Sequence, residues 1–285
     1  MKGYVKLILI LILLLVVSRV SAYLATSYLD SNLPRENGFI LGAQPYHIES
    51  GNKAVLVIHG FSASPVSMKE LDSIFINNNI TVHSILLPGH GTSAFDLNKI
   101  NRTDWILASE SSYLDLKKNY SEVYILGYSL GGDLALQISS KYNVSKVILI
   151  NAPIQYNLNN LELLFPLIKF IEGYHIKGFF PGADKENKYF YKQYNLYRAI
   201  PVKSMQEVVY LSYEIRPNIE KINSPILIFQ AEKDTLIDPF SALYIYSHVN
   251  SKEKKIITLK DSTHVNLTIS DRKIITSESS SFLNN

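Results

Sequence analysis

Cysteine is absent from this chain of 285 residues. Its absence excludes disulfides, thiolate metal sites, a cysteine nucleophile and a lipid anchor attached through cysteine. Charge is also sparse, because only 19 % of the residues are charged and the formal net charge is +3. The lysines are scattered, so the sequence offers no basic face of the kind that binds nucleic acid.

Motifs for metals and phosphates are missing as well. The sequence contains no HExxH motif, no paired His-x-His and no acidic cluster that would bind a metal. It contains no glycine-rich phosphate loop. We therefore expect a reaction that uses no metal and no cofactor.

What is present is an ordinary globular composition, with 47 % apolar residues. The length allows one large domain, or a core domain with an insertion.

The N-terminal segment, residues 1–23, has a different character. Lys2 and Lys6 precede an unbroken apolar run, Leu7–Val17, and Ser18-Arg19-Val20-Ser21-Ala22 follows, with small residues at Val20 and Ala22. This pattern is typical of a secretory signal, and the run is short for a membrane span of about 20 residues. A cleaved signal peptide and an uncleaved membrane anchor both stay open, and either one places the rest of the chain outside the cytoplasm.

Short apolar runs rich in β-branched residues recur from residue 54 onward. They cover residues 54–58, 81–86, 123–126, 147–150, 225–229 and 255–259. None of them alternates polar with apolar residues, which is typical of strands buried on both faces of a parallel sheet. Helical patterns separate them at residues 66–77, 103–118, 130–142 and from Asp238 onward. The alternation predicts a mostly parallel, doubly wound α/β sheet.

One interval is too long for a simple crossover. About 75 residues separate Ile150 from Pro225, whereas such connections are normally short. We therefore predict a core in two parts, 24–153 and 216–285, with a small lid at 154–215. Residues 154–198 contain eleven tyrosines and phenylalanines.

The strongest chemical signal is Gly127-Tyr128-Ser129-Leu130-Gly131-Gly132. It follows a predicted strand and opens a predicted helix, which is the context that a nucleophile elbow requires. The plain alternative is a serine that only caps a helix between chance glycines. We favour Ser129 as nucleophile, with the backbone N–H groups of Leu130 and Phe61 as oxyanion donors. Phe61 follows the first predicted strand.

A serine nucleophile needs a base, and three histidines follow it in the chain. His175 lies in the insertion, and His248 lies within a predicted helix. His264 follows the last predicted strand by a short polar loop. That loop lies at the carboxyl edge of the sheet, where ligands bind in open α/β folds, so we predict His264 as the base.

The base in turn needs a carboxylate to orient it. The candidates are Asp184, Glu232, Asp234, Asp238 and Asp261. Asp234 lies just past a buried strand and is favoured. Asp238 comes second, because it also suits the N-cap of the next helix.

Several motifs occur together in a characteristic order. They are His59-Gly60-Phe61, Leu87-Pro88-Gly89-His90-Gly91, Thr103-Asp104-Trp105, Gly127–Gly132, Gln230-Ala231-x-x-Asp234 and Ser262-x-His264-Val265. Over about residues 38–285 the chain resembles the carboxylesterase and monoacylglycerol lipase branch of the α/β-hydrolases. The resemblance implies an α/β-hydrolase fold with a small lid after the sixth strand. It also implies a triad of Ser129, Asp234 and His264 with oxyanion donors Phe61 and Leu130.

The expected activity is hydrolysis of short-to-medium acyl esters or monoacylglycerols through an acyl-enzyme. The expected partner is a small-molecule ester, with possible association with a membrane through the N-terminal segment. A serine aminopeptidase or an acyltransferase on the same fold is an alternative. A non-catalytic module that binds hydrophobic ligands is another, although it would have no use for a base and an acid.

Overall fold

The computed structural model describes residues 2–156, 173–176, 194 and 196–284. The strands are β1 (Arg35–Glu36), β2 (Phe39–Ile40), β3 (Tyr46–Ile48), β4 (Lys53–Ile58), β5 (Ile80–Ile85), β6 (Glu122–Tyr128), β7 (Lys146–Ile150), β8 (Tyr174–Ile176), β9 (Ala199–Pro201), β10 (Ile226–Ala231) and β11 (Lys254–Leu259). The helices are α1 (Lys2–Ser31), α2 (Asp72–Ile76), α3 (Ala94–Leu97), α4 (Arg102–Asn119), α5 (Leu130–Lys141), α6 (Val202–Ile215), α7 (Phe240–His248) and α8 (Ile269–Asn284).

A seven-stranded sheet forms the centre of the described chain, in the order β11-β10-β7-β6-β4-β5-β3. Every neighbouring pair is parallel except β3 with β5. Its six parallel strands coincide with the six apolar runs, so the predicted mostly parallel α/β fold is confirmed.

The central strands have two buried faces because helices cover both sides of the sheet. On β4, Leu56 and Ile58 contribute to one apolar cluster, and Val55 and Val57 contribute to the other. The first cluster includes side chains of α4, α5, α6 and α7, and the second includes side chains of α2 and α8. Consecutive residues therefore enter different cores, which is why the run shows no alternation.

Three elements differ from the sequence patterns. The edge strand β11 is only partly buried, because a neighbouring strand covers it on one side alone. Strand β3 lies before the first predicted strand, where the sequence shows no apolar run, and pairs antiparallel with β5. The serine-rich C-terminal stretch is part of helix α8, which buries Ile275, Ser279 and Phe282 at helical spacing.

Most of the predicted lid lies outside the described residues. Within it, β8 pairs with β9 in antiparallel fashion. The last helix of the predicted insertion, α6, contributes Val208 and Leu211 to the same apolar cluster as Leu134 of α5. This helix therefore belongs to the layer that covers one face of the sheet.

Helix α1 runs without a break from Lys2 to Ser31, beyond the N-terminal segment delimited in the sequence. It contains an 18-residue window with a mean hydropathy of 2.6, and none of that window is buried. Its length and composition suffice to cross a membrane, although a signal sequence has the same properties.

The turn between β6 and α5 requires glycine where the chain passes under β4. A Cβ added to Gly131 would lie 2.0 Å from the carbonyl oxygen of Ile58. We expect Gly131→Ala to lower the free energy of unfolding by about 2–3 kcal/mol, because the backbone of β4 must shift. The matching drop in Tm is roughly 5–10 °C, measured by thermal unfolding in mild detergent.

Gly3→Ala is the matched control, since a Cβ at Gly3 meets nothing within 4 Å. An unchanged Tm for Gly131→Ala would contradict the close approach of the elbow to β4.

Candidate active site

Four neighbouring strands end at one edge of the sheet. Ile58 of β4 pairs with Gly127 of β6, and Tyr128 pairs with Ile150 of β7. Phe229 of β10 pairs with Ile150 in turn. The residues that follow these strands therefore converge at the same carboxyl edge, as ligand sites do in open α/β sheets.

Ser129 lies on a strained turn between β6 and α5. Its backbone has a φ of 51° and a ψ of −120°, a region that side-chain-bearing residues rarely adopt. The Ser129 N–H donates to the Ile150 carbonyl at 2.9 Å, which ties the turn to β7. This backbone geometry has the form that a nucleophile elbow requires.

The glycines of the motif allow this turn to close. A Cβ on Gly127 would lie 2.2 Å from the Gly131 carbonyl oxygen. A Cβ on Gly132 would lie 2.6 Å from that of Ala152. Any side chain at either place would push the start of α5 away from the sheet, so the turn depends on glycine.

The predicted base lies next to the predicted nucleophile. The Oγ of Ser129 is 3.0 Å from Nε2 of His264, and Nδ1 of His264 is 2.7 Å from Oδ2 of Asp234. Donation from Nδ1 to the carboxylate leaves Nε2 free to accept the serine proton. The structure thus brings the three predicted triad residues into one hydrogen-bonded chain.

Asp234 is held by the backbone of its own loop. Its second oxygen, Oδ1, accepts hydrogen bonds from the N–H groups of Leu236 and Ile237, each at 2.9 Å. Its side chain is fully buried. These bonds aim Oδ2 at the imidazole, so the carboxylate is oriented before any substrate arrives.

The other candidates have different contacts. Asp238 accepts from the N–H of Phe240 at the start of α7, and Asp261 pairs with Lys233 on the surface. His248 stacks on Tyr244 at 3.9 Å, and His175 lies on β8. Among the described residues, Asp234 is the carboxylate that contacts His264.

Two residues that the sequence reasoning missed hold the backbone of His264. The hydroxyl of Tyr128 donates to the His264 carbonyl oxygen. Asn151 Nδ2 donates to the same oxygen at 3.2 Å, while Asn151 Oδ1 accepts from the Ala231 N–H at 2.8 Å. Burial raises the pKa of Tyr128, which keeps its hydroxyl protonated as a donor. Their positions, at the last residue of β6 and directly after β7, were the only signal in the sequence.

The loop after β4 lies against Ser129. A Cβ on Gly60 would be 3.3 Å from Cβ of Ser129, so the Gly60–Phe61 peptide adjoins the elbow. Within the described part of the chain, neither the Phe61 N–H nor the Leu130 N–H has an acceptor. Two free donors beside one serine match the requirements of an oxyanion hole.

His59 controls the orientation of that peptide. Its Nδ1 donates to the Gly60 carbonyl at 2.9 Å, and its Nε2 accepts from the Leu87 N–H at 3.1 Å. Burial lowers the pKa of His59 to about 4, so the ring is neutral at pH 7. Because Gly60 C=O and Phe61 N–H belong to one peptide plane, the bond to Gly60 also orients the Phe61 donor.

Aromatic rings back the same loop. The ring of Phe61 packs edge-on against His90 at 5.9 Å and Trp105 at 6.0 Å. Trp105 Nε1 donates to the Pro88 carbonyl at 3.0 Å. These contacts join the Phe61 loop to the loop after β5.

The described residues contain no group of three or more His, Cys, Asp and Glu side chains that could hold a metal ion.

Comparison with known proteins places the chain in a family. Its sequence matches the Hydrolase_4 family, described as serine aminopeptidase S33, over residues 49–268. That range covers well over half of the chain and includes the three residues of the hydrogen-bonded chain. The protein is a member of the Hydrolase_4 family.

Two proteins of known name are similar to this chain over most of its length. A thermostable monoacylglycerol lipase from Bacillus sp. (strain H-257) is 27 % identical over 244 residues, covering 85 % of this chain and 94 % of the relative. A carboxylesterase from Bacillus subtilis (strain 168) is 24 % identical over 246 residues, covering 86 % and 97 %.

Solved structures agree with the fold. The structure reported for the metagenome-derived lipolytic enzymes LipS and LipT matches with a TM-score of 0.74 at 23 % identity, over 86 % of this chain and 98 % of that one. Paleococcus ferrophilus monoacylglycerol lipase matches with a TM-score of 0.67 at 16 % identity, over 84 % and 99 %. The fold of this Hydrolase_4 member is thus the α/β-hydrolase fold.

The hydrogen bond between Asp234 and His264 predicts an unequal effect of two similar substitutions. Asp234→Asn should lower kcat by roughly 10³–10⁴-fold, because an amide favours the imidazole tautomer that cannot accept the serine proton. Asp238→Asn should change kcat less than about threefold, since Asn still accepts the Phe240 N–H bond. Steady-state kinetics on a p-nitrophenyl ester measures both, and the reverse ranking would transfer the role to Asp238.

His59 should contribute a pH-dependent part of the stability. Its pKa is about 4 in the folded protein and about 6.5 when unfolded. Between these values the unfolded state binds more protons, so this contribution falls as the pH falls. The stability difference between wild type and His59→Gln should therefore shrink by up to about 3 kcal/mol from pH 6.5 to pH 4. Urea unfolding at several pH values measures it, and a constant difference would contradict a neutral buried His59.

Proposed function

We propose that this protein is a serine hydrolase that cleaves carboxylic esters through an acyl-enzyme. The observation that carries the proposal is the hydrogen-bonded chain from Ser129 Oγ through His264 to Asp234, with distances of 3.0 and 2.7 Å. A serine on a strained elbow with an imidazole at hydrogen-bond distance is an activated nucleophile.

In the first half-reaction, Ser129 Oγ attacks the ester carbonyl carbon while its proton moves to Nε2 of His264. The N–H groups of Phe61 and Leu130 donate to the negative oxygen of the tetrahedral intermediate. The imidazolium then gives its proton to the leaving alkoxide oxygen as the C–O bond breaks. Asp234 stabilises the imidazolium and stays ionised throughout.

In the second half-reaction, water replaces the alcohol. His264 takes a proton from the water, whose oxygen attacks the acyl-enzyme carbonyl carbon. The same two N–H groups stabilise the second oxyanion. His264 then returns the proton to Ser129 Oγ, which releases the carboxylic acid and restores the free enzyme.

Short-to-medium acyl esters or monoacylglycerols are the proposed substrates. Two relatives that the chain covers almost completely are named monoacylglycerol lipase and carboxylesterase. The aromatic-rich sequence from 154 to 198 offers apolar side chains for an acyl chain. Each methylene that such a pocket buries contributes about 0.8 kcal/mol, so two buried methylenes account for a preference of roughly 10-fold.

Aminopeptidase activity is the second candidate, because the family carries that description. An aminopeptidase needs a carboxylate to pair with the substrate's α-amine. Asp238 and Asp261, two acids on the loops that carry Asp234 and His264, already bind a helix N-terminus and a lysine. This occupation favours the esterase.

The N-terminal segment, residues 1–23, and the rest of α1 indicate where the protein is found relative to the cell membrane. Its basic start and exposed apolar window support export of the catalytic domain, secreted or anchored in the membrane.

Ser129→Ala should lower kcat on p-nitrophenyl butyrate by roughly 10⁴–10⁶-fold and abolish labelling by a fluorophosphonate. Its circular dichroism and Tm should match the wild type, because the strained turn is made by the backbone. Undiminished labelling of the alanine variant would show that Ser129 is not the nucleophile.

The substrate assignment is tested on the wild type by kcat/KM for p-nitrophenyl esters of increasing chain length, monoacylglycerol and an aminoacyl-anilide. A preference of roughly 10-fold for medium over acetyl chains is expected. A kcat/KM that does not change with chain length would contradict the acyl pocket. Faster turnover of the anilide would favour the aminopeptidase.

A further inference from the structure

Helix α1 changes its surroundings along its length. From Gly3 to Ser21 nearly every side chain is exposed. From there on, a stripe of more buried residues appears at helical spacing, and it consists of Ala22, Ala25, Thr26, Leu29 and Asp30. Spacings of three and four residues place these side chains on one face of the helix. The last three turns of α1 therefore pack on the body of the protein, and the preceding turns do not.

Specific contacts hold these turns in place. We call the packing of α1 residues 22–30 on α3 and β8 the joint. The Tyr23 ring lies 5.0 Å from the Phe95 ring, which in turn lies 5.4 Å from Tyr174 of β8. Asp30 Oδ2 accepts a hydrogen bond from the Ala94 N–H at 2.9 Å. The joint thus ties α1 to α3 and to the strand that lies within the predicted lid region.

The contacts of α1 begin before Tyr23. A Cβ on Gly173, the residue before β8, would lie 3.5 Å from the Arg19 guanidinium. The helix continues unbroken through Ala22 and Tyr23, where a cleaved signal would end. Packing on both sides of that peptide bond favours a helix that stays attached.

The joint lies at the same edge of the sheet as the triad. Helix α3 follows the loop at the carboxyl end of β5. In that loop the Pro88 carbonyl accepts from Trp105, whose ring packs against Phe61. The loop also binds Tyr197, because the Thr92 N–H donates to its hydroxyl at 2.9 Å. A short connected set of residues therefore links α1 to the Phe61 loop.

Exposed apolar side chains lie at this edge on the opposite side of Ser129. Leu236 and Phe240 follow β10 and are 44 % and 48 % exposed. In the sheet, β6 with Ser129 at its end lies between β5 and β10. The apolar helix and this apolar loop thus flank the nucleophile along one edge.

The length of α1 fits a bilayer with the joint outside it. At 1.5 Å per residue, its 30 residues extend roughly 45 Å, whereas a hydrocarbon core is about 30 Å thick. About 20 residues span that core, which leaves about ten of the 30 for the joint. The packed stripe begins at Ala22, directly after a span of about 20 residues that starts at Lys2.

We propose that α1 is a retained membrane anchor whose packing on α3 and β8 holds the carboxyl edge of the sheet, with Ser129, against the bilayer surface. The partner is the lipid bilayer itself. Esters dissolved in the outer leaflet then reach the nucleophile without crossing bulk water. This last step rests on the proposed esterase function, whereas the orientation does not.

The orientation is testable without catalysis. Because the chain has no cysteine, Phe240→Cys and Asn143→Cys each give a single labelling site in the full-length protein. Phe240 lies at the carboxyl edge, and exposed Asn143 precedes β7 at the amino edge. Each variant carries a bimane label in phosphatidylglycerol–phosphatidylcholine vesicles that contain brominated lipid as quencher.

Quenching of the label at position 240 should be at least threefold stronger than at position 143. Equal quenching would overturn the orientation. Mass spectrometry of the membrane-extracted protein should find residues 1–22 still attached, and a start at Tyr23 would overturn the retained anchor.

A second variant separates anchoring from orientation. A flexible insert of eight glycines and serines between Asn32 and Leu33, combined with Tyr23→Ala and Asp30→Ala, leaves α1 in the membrane but removes the contacts that hold the catalytic domain to it. Turnover of water-soluble p-nitrophenyl acetate should stay within about twofold. Turnover of monoacylglycerol held in the vesicles should fall roughly 10-fold, and the quenching at position 240 should fall with it.

Unchanged turnover in the vesicles together with unchanged quenching would contradict the joint. If neither ester is hydrolysed by the wild type, the proposed function fails, while the quenching contrast still decides the orientation.

Discussion

The backbone of Ser129 has a φ of 51° between a buried strand and a buried helix. That conformation is costly for a residue with a side chain, by about 1–3 kcal/mol, and survives only where the surroundings determine it. Here Gly127, Gly131 and Gly132 let α5 start directly against β4 and β7. The strain is what lifts the hydroxyl out of the helix start and toward His264. Both the position of the hydroxyl and the direction of the Leu130 N–H follow from this one turn.

His264 lies on a loop, but residues at the ends of the sheet strands hold it in position. Tyr128 precedes Ser129 in the chain, and its hydroxyl donates to the His264 carbonyl. Asn151, directly after β7, donates to the same oxygen and also binds the end of β10. Ser129 and His264 are thereby held by the same three strands. These bonds fix the loop that carries His264, and with it the 3.0 Å distance between Ser129 Oγ and His264 Nε2.

Much of this arrangement could be read from local patterns. The runs that became β4, β6, β7 and β10 lack alternation because both faces of those strands are buried, and that signal resides in consecutive residues. The glycine–serine motif was equally local. Edge strand β3 and helix α8 were missed, since their residues look polar and become ordered through long-range partners. Asp234 could be ranked above Asp238 only by its place after a strand, and the bond to Nδ1 separates them in space.

By itself, the sequence determined the six parallel strands, the glycine–serine turn and the order of the candidate site residues, because each of these is set by neighbours within a few positions. Only the tertiary structure decided which acid orients the imidazole, how Tyr128 and Asn151 hold His264, and where α1 packs. Those contacts join residues far apart in the chain, with 135 positions between Ser129 and His264. The spacing of apolar residues along the chain does not predict such long-range pairs. They arise when parallel strands bring their carboxyl ends to one edge, and the packing of the sheet then selects the partners.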